Sequence, residues 1–393
     1  MADDVVEISV VLPCLNEENT IDTCIKKAKD VFNRLNIIGE VIVVDNGSTD
    51  GTAEKALAAG AKVVYEQKRG YGYALRRGIE EARGKYVVVC DGDDTYDLAE
   101  LHKFIEALRE GNDLVIGSRF KGKILKGAMA WTNRYIGNPL LTGMIKIFFR
   151  ANLSDTQSGY RGFSKDVYKK MDLKTTGMEF ASEMIVHALK KKMKIKEVPI
   201  TYYPRRGESK LSKFRDAWRH IRFILLYSPT YLFNLPGLVI FLAGAILMLR
   251  LLLGPIYFLG RAWDVHVMVF SGMLTILGWQ ILNIGLAAKV FTSSIGLENS
   301  KTIRKMLNFF SLERGIVLGA FIVLIGVALI GYIFYVWMKN NFGYLAQVKT
   351  AIAALVAIVI GVQTIFSFFL FSVLQIKYHN TAVVAEEVEK NEI

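Results

Sequence analysis

The chain has 393 residues, of which 52% are hydrophobic and 22% charged, and its formal net charge is +12. A mean hydropathy of +0.29 is too apolar for an ordinary soluble enzyme, while the charge is too high for a wholly membrane-embedded protein. Disorder, a collagen-like repeat and a small disulfide scaffold are excluded.

The average conceals two unlike parts. Residues 1–234 carry 38 Lys+Arg and 30 Asp+Glu, about 29% charged, whereas residues 235–393 carry 11 and 7, about 11%. The three cysteines, Cys14, Cys24 and Cys90, are odd in number and lack metal spacing, as do the five histidines. This is the usage of a cytosolic domain with reduced thiols. Met1 to Asp4 is acidic and has no basic stretch before the first apolar run, so no signal peptide is expected.

In chain order, Glu7 to Leu12 reads as a buried strand and Asn19 to Leu35 as a helix. A strand from Glu40 to Val44, a helix from Thr52 to Ala59 and a short strand from Lys62 to Tyr65 follow. Tyr73 to Ala82 is helical, Tyr86 to Cys90 a strand, Leu98 to Arg109 a helix and Asp113 to Gly117 a strand. This alternation predicts an α/β domain with a parallel sheet covered by helices. Ligands of such sheets sit beyond the carboxyl ends of strands, where Asp45 and Asp91 both fall.

Asp91-Gly92-Asp93 follows the apolar run Tyr86 to Cys90 directly. Two carboxylates two residues apart, with Gly between them, can share a hard divalent cation such as Mg²⁺ or Mn²⁺ and so neutralise a diphosphate leaving group. Pro13-Cys14-Leu15-Asn16-Glu17-Glu18 ends the first strand, and Asp45-Asn46-Gly47-Ser48-Thr49-Asp50-Gly51-Thr52 ends the second. Their Asp and Asn side chains can bind a base or ribose, or serve simply as turn and cap residues. Glu179 and Glu183 likewise fit either a sugar-contacting helix start or a solvated helix face. Leu140 to Phe149 is too short to span a membrane and fits a helix lying in its interface.

From Lys213 to Tyr227, Phe214, Ala217, Trp218, Ile221, Ile224 and Leu225 fall on one helical face, with Arg215, Arg219 and Arg222 on another. Residues 211–234 are therefore expected to form an amphipathic helix in the membrane interface, or one packed on the globular domain. Four apolar segments follow within 235–376, at 235–253, 265–288, 315–338 and 350–374, each long enough to cross a bilayer. Lys289, Lys301, Arg304, Lys305 and Arg314 lie in the central loop, and more basic residues precede the first span. Both the N-terminal domain and the acidic tail 377–393 (Glu386, Glu387, Glu389, Glu392) should face the cytoplasm, at the plasma membrane if the cell is prokaryotic.

Taken in order, these motifs resemble those of the family 2 glycosyltransferases of GT-A fold, and within them the polyprenyl-phosphate (dolichyl-phosphate) hexose synthases. Further matches are Lys68-Arg69-Gly70-Tyr71-Gly72, Gly117-Ser118-Arg119-Phe120, Asp155 to Phe163 and Arg206-Gly207-Glu208-Ser209-Lys210-Leu211. The resemblance covers about residues 7–230 and implies a GT-A catalytic domain, 1–210, with a Rossmann-like mixed sheet. It implies Pro13, Asn16, Glu17, Asp45, Lys68 and Gly70 at the nucleotide, and Asp91, Gly92 and Asp93 at the metal and donor diphosphate. Arg119, helped by Arg134 and Ser158, would meet the acceptor phosphate. Asp155 and Gln157 would flank the sugar, and Arg205, Arg206, Ser209 and Lys210 would close over the diphosphate.

Two positions depart from the family. Asn46 stands where Asp is common. Thr95 stands where the mannose synthases carry a metal-binding Gln, so Thr95, Asp94 or water would complete the metal shell. The implied reaction is metal-dependent, inverting transfer of a hexose from UDP-glucose or GDP-mannose to polyprenyl phosphate. The partners are then the nucleotide sugar, the lipid phosphate and the bilayer, with no nucleic acid, and the membrane hairpins offer surfaces for homo-oligomers. A processive polysaccharide synthase would show a Gln-x-x-Arg-Trp motif, which is absent. A flippase with a sugar-nucleotide module would carry polar or ionisable residues inside its spans, whose interiors here are nearly uncharged, with Arg250 close to an end.

Overall fold

The computed structural model describes residues 6–206, 213–258, 260–294 and 311–391. Gly207, Glu208, Ser209, Lys210, Leu211, Lys301, Arg304, Lys305 and Glu392 lie outside the described residues, as do the side chains of Phe214, Arg215, Glu386, Glu387 and Glu389. The chain divides into two units, Met1–Tyr227 and Ser228–Ile393.

The first unit alternates β1 (Ile8–Cys14), α1 (Ile21–Leu35), β2 (Gly39–Asp45), α2 (Thr52–Ala58), β3 (Lys62–Tyr65), α3 (Tyr71–Glu81) and β4 (Tyr86–Val89). Then come α4 (Leu101–Arg109), β5 (Leu114–Ile124), α5 (Asn138–Phe149), β6 (Arg161–Ser164), α6 (Lys165–Met171), α7 (Phe180–Lys190), β7 (Ile195–Tyr202) and α8 (Lys213–Leu226). The seven strands form one sheet in the order β3-β2-β1-β4-β6-β5-β7. Ile8, Val10, Val11, Leu12, Val43, Val44, Val87 and Val88 are fully buried, because helices cover both faces of the sheet. α1 shows the complementary logic: Ile21, Cys24, Ile25, Ala28, Val31 and Phe32 fall on one buried stripe. It stops where Asn36 turns left-handed at φ 49°.

The sheet is mixed rather than purely parallel. β6 runs antiparallel to both β4 and β5, while the remaining pairs are parallel. Four residues, Arg161-Gly162-Phe163-Ser164, are too few to carry a readable alternation. Parallel register puts Cys14 beside Asp45 and Val11 beside Val89. The loops after β1, β2 and β4 therefore leave one rim of the sheet together.

α8 buries Phe223 and Ile224 in the same core as α5 and α7, with Ile221 and Tyr227 packed against it. Trp218, expected on that apolar face, is 55% exposed, as is Leu226 at 56%. α5 divides similarly: Leu141 and Ile145 are buried, while Leu140 and Ile147 are exposed.

The second unit contains α9 (Leu235–Leu252), α10 (Val265–Ser294), α11 (Leu312–Lys339) and α12 (Val348–Asn391). Four stretches are long and apolar enough to cross a membrane: Thr230–Leu252, Val265–Ser293, Leu312–Lys339 and Val348–Leu374. A small hairpin, β8 (Ile256–Phe258) with β9 (Arg261–Trp263), joins the first two. Lys349 pairs with Asp264 and donates to the Leu251 carbonyl at 3.2 Å, which ties the loops at that end. In lipid, helices associate through close packing rather than apolar burial, so small residues mark the contacts. At Gly278 a Cβ would lie 2.2 Å from the Phe241 backbone nitrogen. Gly278→Leu should therefore prise α9 from α10 at about 1–3 kcal/mol. Thermal unfolding of the detergent-solubilised chain should show a lowered midpoint. Gly331→Leu, where nothing lies within 4 Å, should leave it unchanged.

Candidate active site

β4 delivers Asp91, Gly92, Asp93, Asp94 and Thr95 to the rim of the sheet. Asp93 and Asp94 are each 7% exposed, while Asp91 keeps some exposure to an open cleft. Asp91 Oδ1 accepts a hydrogen bond from the Tyr71 hydroxyl at 3.1 Å. A Cβ on Gly159 would sit 2.9 Å from the other Asp91 oxygen, so any larger residue there would push the carboxylate aside. Asp93 Oδ1 accepts from the Thr95 backbone N–H at 3.1 Å and from the Thr95 hydroxyl at 2.6 Å. Asp93 Oδ2 faces Arg205 Nη1 at 3.3 Å. Asp94 is turned away, with φ 57°, and pairs with Lys27 at 2.7 Å and Arg206 at 3.8 Å.

The protein packed around Asp91, reinforced by the charge of Asp93, pushes its carboxyl up to about 7 against the pull of Tyr71, Arg205 and Arg119. Asp91 is thus held in surroundings that disfavour its charged form. The donor set of the site, two carboxylates with hard oxygens, suits Mg²⁺ or Mn²⁺. Among the described residues no group of three His, Cys, Asp or Glu gathers to hold a metal.

The cleft measures about 310 Å³. Of the residues expected at the donor, Pro13, Glu17, Gly70, Asp91, Gly92, Asp93 and Arg205 line it. Asn16 and Asp45 bind the two loops to each other and to themselves. Asn16 donates through its backbone N–H to Ser48 Oγ at 3.0 Å and accepts at Oδ1 from Thr49 N–H at 2.7 Å, while Asp45 Oδ1 accepts from Ser48 N–H at 2.9 Å. Lys68 places its ammonium 5.7 Å from the Tyr73 ring.

Asn46, the departure from the family pattern, has a local explanation. Its amide nitrogen donates to the Glu66 and Lys68 carbonyls at 3.0 and 2.8 Å, and its oxygen accepts from Gly70 N–H at 2.8 Å. A carboxylate cannot make those two donations.

Behind the carboxylates lies a second polar layer. Arg119 grips Asp155 through Nε and Nη2 at 2.7 and 2.8 Å, both side chains being almost wholly buried. Burial pushes Asp155 up, but Arg119 outweighs it and holds the carboxyl below its usual range. Gln157 donates to Thr156 Oγ1 at 3.1 Å, and Ser158 Oγ accepts from Tyr160 N–H at 3.4 Å. The buried Arg161 binds the carbonyls of Thr156, Ser158 and Ala181 and so pins this loop. The Tyr96 hydroxyl accepts from Gly159 N–H at 2.9 Å and fixes it against Asp91. Arg134 sits on the turn before α5, its guanidinium 5.5 Å from the Tyr135 ring, and does not line the cleft.

Further residues without an assigned role line the cleft: Arg69 and Tyr71, from the matched motif Lys68 to Gly72, and Met178 and Arg219. Arg219 had read as part of the basic face of the helix before the first span. Glu183 is fully buried and accepts from the Lys174 and Thr175 N–H groups, each at 2.9 Å, and from the Thr175 hydroxyl at 2.6 Å. It is neither a sugar ligand nor a solvated face. It steadies the turn whose Thr176 carbonyl accepts from Gly72 and Tyr73 N–H.

Residues 9–172 match the glycosyl transferase family 2 model, and residues 286–375 match the glycosyltransferase family 2 C-terminal transmembrane region. The chain is 40% identical over 368 residues to the low-salt glycan biosynthesis hexosyltransferase Agl6 of Haloferax volcanii, covering 93% of this chain and 89% of that protein. It is 32% identical over 211 residues to the dolichyl-phosphate hexose transferase of the same organism, covering 53% and 88%. A solved structure of glucosyl-3-phosphoglycerate synthase from Mycobacterium tuberculosis aligns with 56% of this chain and 79% of that one, at 24% identity and a TM-score of 0.47. The chain belongs to glycosyltransferase family 2, as a multi-pass membrane glycosyltransferase with a GT-A domain.

Proposed function

We propose that this glycosyltransferase moves a hexose from UDP-glucose or GDP-mannose to a polyprenyl (dolichyl) phosphate at the cytoplasmic membrane face, with inversion. The observation that carries the reading is the meeting of Asp91 and Asp93 with Arg69, Arg205 and Arg219 around one cleft. A diphosphate and a second phosphate can approach each other only where cations offset their charges. The names of the two Haloferax relatives, one a hexosyltransferase and one a dolichyl-phosphate hexose transferase, support the sugar class and the acceptor.

The donor's nucleotide lies against the loops Pro13–Glu17 and Asp45–Ser48 and beside Lys68 and Gly70. Asp91 and Asp93 would hold the cation, with Thr95 orienting Asp93 through its hydroxyl. A divalent cation there would neutralise the departing diphosphate. Asp94 is paired with Lys27 instead, so the nucleotide or water would supply the remaining oxygens. Arg205 and Arg206, with Lys210 beyond the described residues, face the diphosphate.

Asp155 orients Arg119 by taking up Nε and Nη2, which leaves Nη1 for the acceptor phosphate, with Arg134 and Ser158 assisting. Gln157 lies beside the sugar. The nucleophile needs no general base, because a phosphate monoester with a second pKa of about 6 is already largely dianionic at pH 7. Its oxygen bonds to the anomeric carbon as the carbon–oxygen bond to the diphosphate breaks. The basic residues before the first span and in the central loop support a cytoplasmic site.

The test uses membranes carrying the full chain, polyprenyl phosphate, Mg²⁺ or Mn²⁺, and labelled nucleotide sugars. Labelled glycolipid is expected, and failure with every nucleotide sugar would sink the reading. Asp91→Asn and Asp93→Asn should each lower transfer by about 100-fold or more with membrane insertion intact. Arg119→Lys, which loses the two-pronged grip of Asp155, should lower kcat/KM for the lipid phosphate by about 10-fold or more. The donor KM should hardly move. An Arg119→Lys enzyme that works normally would remove Arg119 from the acceptor site.

A further inference from the structure

Both oxygens of Asp93 are engaged. Thr95 fills Oδ1 with two hydrogen bonds, at 3.1 and 2.6 Å. Oδ2 faces Arg205 Nη1 at 3.3 Å, and the other arm of the same guanidinium, Nη2, holds Glu17 Oε1 at 2.6 Å. Arg205 is 24% exposed and the two carboxylates 9% and 11%, so all three lie largely inside the cleft wall. The third donor of the fork, Nε–H, is buried without an acceptor among the described residues. A guanidinium that leaves a buried N–H unpaired has not found its best set of acceptors.

We propose that Arg205 is a resident counter-cation, exchanged when the substrate cation arrives. It offsets Asp93 and Glu17 until a divalent cation takes Asp93 Oδ2, and then carries its fork to the nucleoside diphosphate. The inference rests on the reading that Asp91 and Asp93 hold that cation. Oδ2 is the only Asp93 oxygen not already filled by Thr95, so cation and guanidinium compete for one atom. Phosphate oxygens accept from several N–H groups at once, which gives the released guanidinium, including its unpaired Nε–H, better partners than it leaves. Cation alone must displace Arg205 without compensation. Cation with nucleoside diphosphate displaces it toward new acceptors. The two ligands therefore bind with positive coupling, and Arg205 carries part of that coupling.

Direct binding tests this without any turnover. Mn²⁺ affinity of the full-length protein in detergent is measured by electron paramagnetic resonance of free Mn²⁺, and UDP and GDP affinities by calorimetry at saturating Mn²⁺. Arg205→Gln removes the competitor, so Mn²⁺ alone should bind on the order of 3- to 10-fold tighter than in the wild type. The nucleoside diphosphate should bind about 10-fold more weakly. Arg205→Lys keeps the charge but not the fork. Its Mn²⁺ affinity should stay within about 2-fold of wild type while nucleotide binding still weakens. If Arg205→Gln leaves Mn²⁺ binding unchanged or weakens it in a protein that unfolds normally, the exchange is overturned and Arg205 is a plain diphosphate ligand. If the wild type binds no Mn²⁺ even with UDP or GDP, the metal reading fails first and the exchange with it.

Discussion

Asp91 and Asp93 stand two residues apart just beyond β4, at the rim of a packed sheet, and their charges repel. Everything around them answers that repulsion. Tyr71 donates to one carboxylate, Thr95 to the other, and Arg205 spans from Asp93 to Glu17. Burial, with the charge of Asp93 beside it, still pushes Asp91 up to about 7 from its ordinary 3.8. A carboxyl raised in the fold costs stability as pH rises from about 4 toward 7, because the unfolded chain gives up its proton more readily. Stability is thus given up for a concentrated negative charge, and that charge is what gives a cation and a diphosphate a reason to settle there. The same tension bears on Gly159, where any larger residue would push the Asp91 carboxylate aside.

The strand–helix alternation and the motifs at the strand ends were legible in the sequence because they are local. Apolar runs, their spacing and the acidic turns after them need no knowledge of distant neighbours. β6 escaped because four residues with one fully buried arginine present no apolar alternation. Asn46 stood only as a departure from the family's Asp because its partners, Glu66, Lys68 and Gly70, are 20 to 24 positions away. Glu183 read as a sugar-contacting helix start or a solvated face and is a buried brace. Arg205 was read as a diphosphate ligand, while its grip on Glu17 spans 188 positions, and no pattern of spacing reports such a contact. Arg119 and Asp155 were expected at separate tasks, yet they form one buried unit, so substitution of either disturbs both.

The membrane unit follows a different rule. Its helices expose long apolar faces, with Val317, Phe321, Leu324 and Phe366 all more than 60% exposed, as lipid-facing residues must be. Their mutual contacts rest on close approach at glycines such as Gly278. Hydropathy picks out four apolar helices, but not which faces pair, because leucine facing lipid and leucine facing leucine look alike in sequence. α8 gave a similar lesson on the catalytic side. Its apolar stripe is divided, with Phe223 and Ile224 packed in the domain and Trp218 outside it, and its Arg219 lines the cleft.

Thermal unfolding of the full-length protein at pH 8 tests the electrostatic frustration of Asp91 and Asp93 most directly. The midpoint is followed with Mn²⁺ alone, with UDP or GDP alone, and with both together, for the wild type and for the double variant Asp91→Asn, Asp93→Asn. A ligand at about 100 times its Kd stabilises by roughly 2.7 kcal/mol. The wild type should rise most with cation and nucleotide together, by more than the two separate rises combined. The double variant should start higher than the wild type and gain nothing from the cation. A wild-type midpoint indifferent to cation and nucleotide together, with a double variant no more stable than the wild type, would contradict the account.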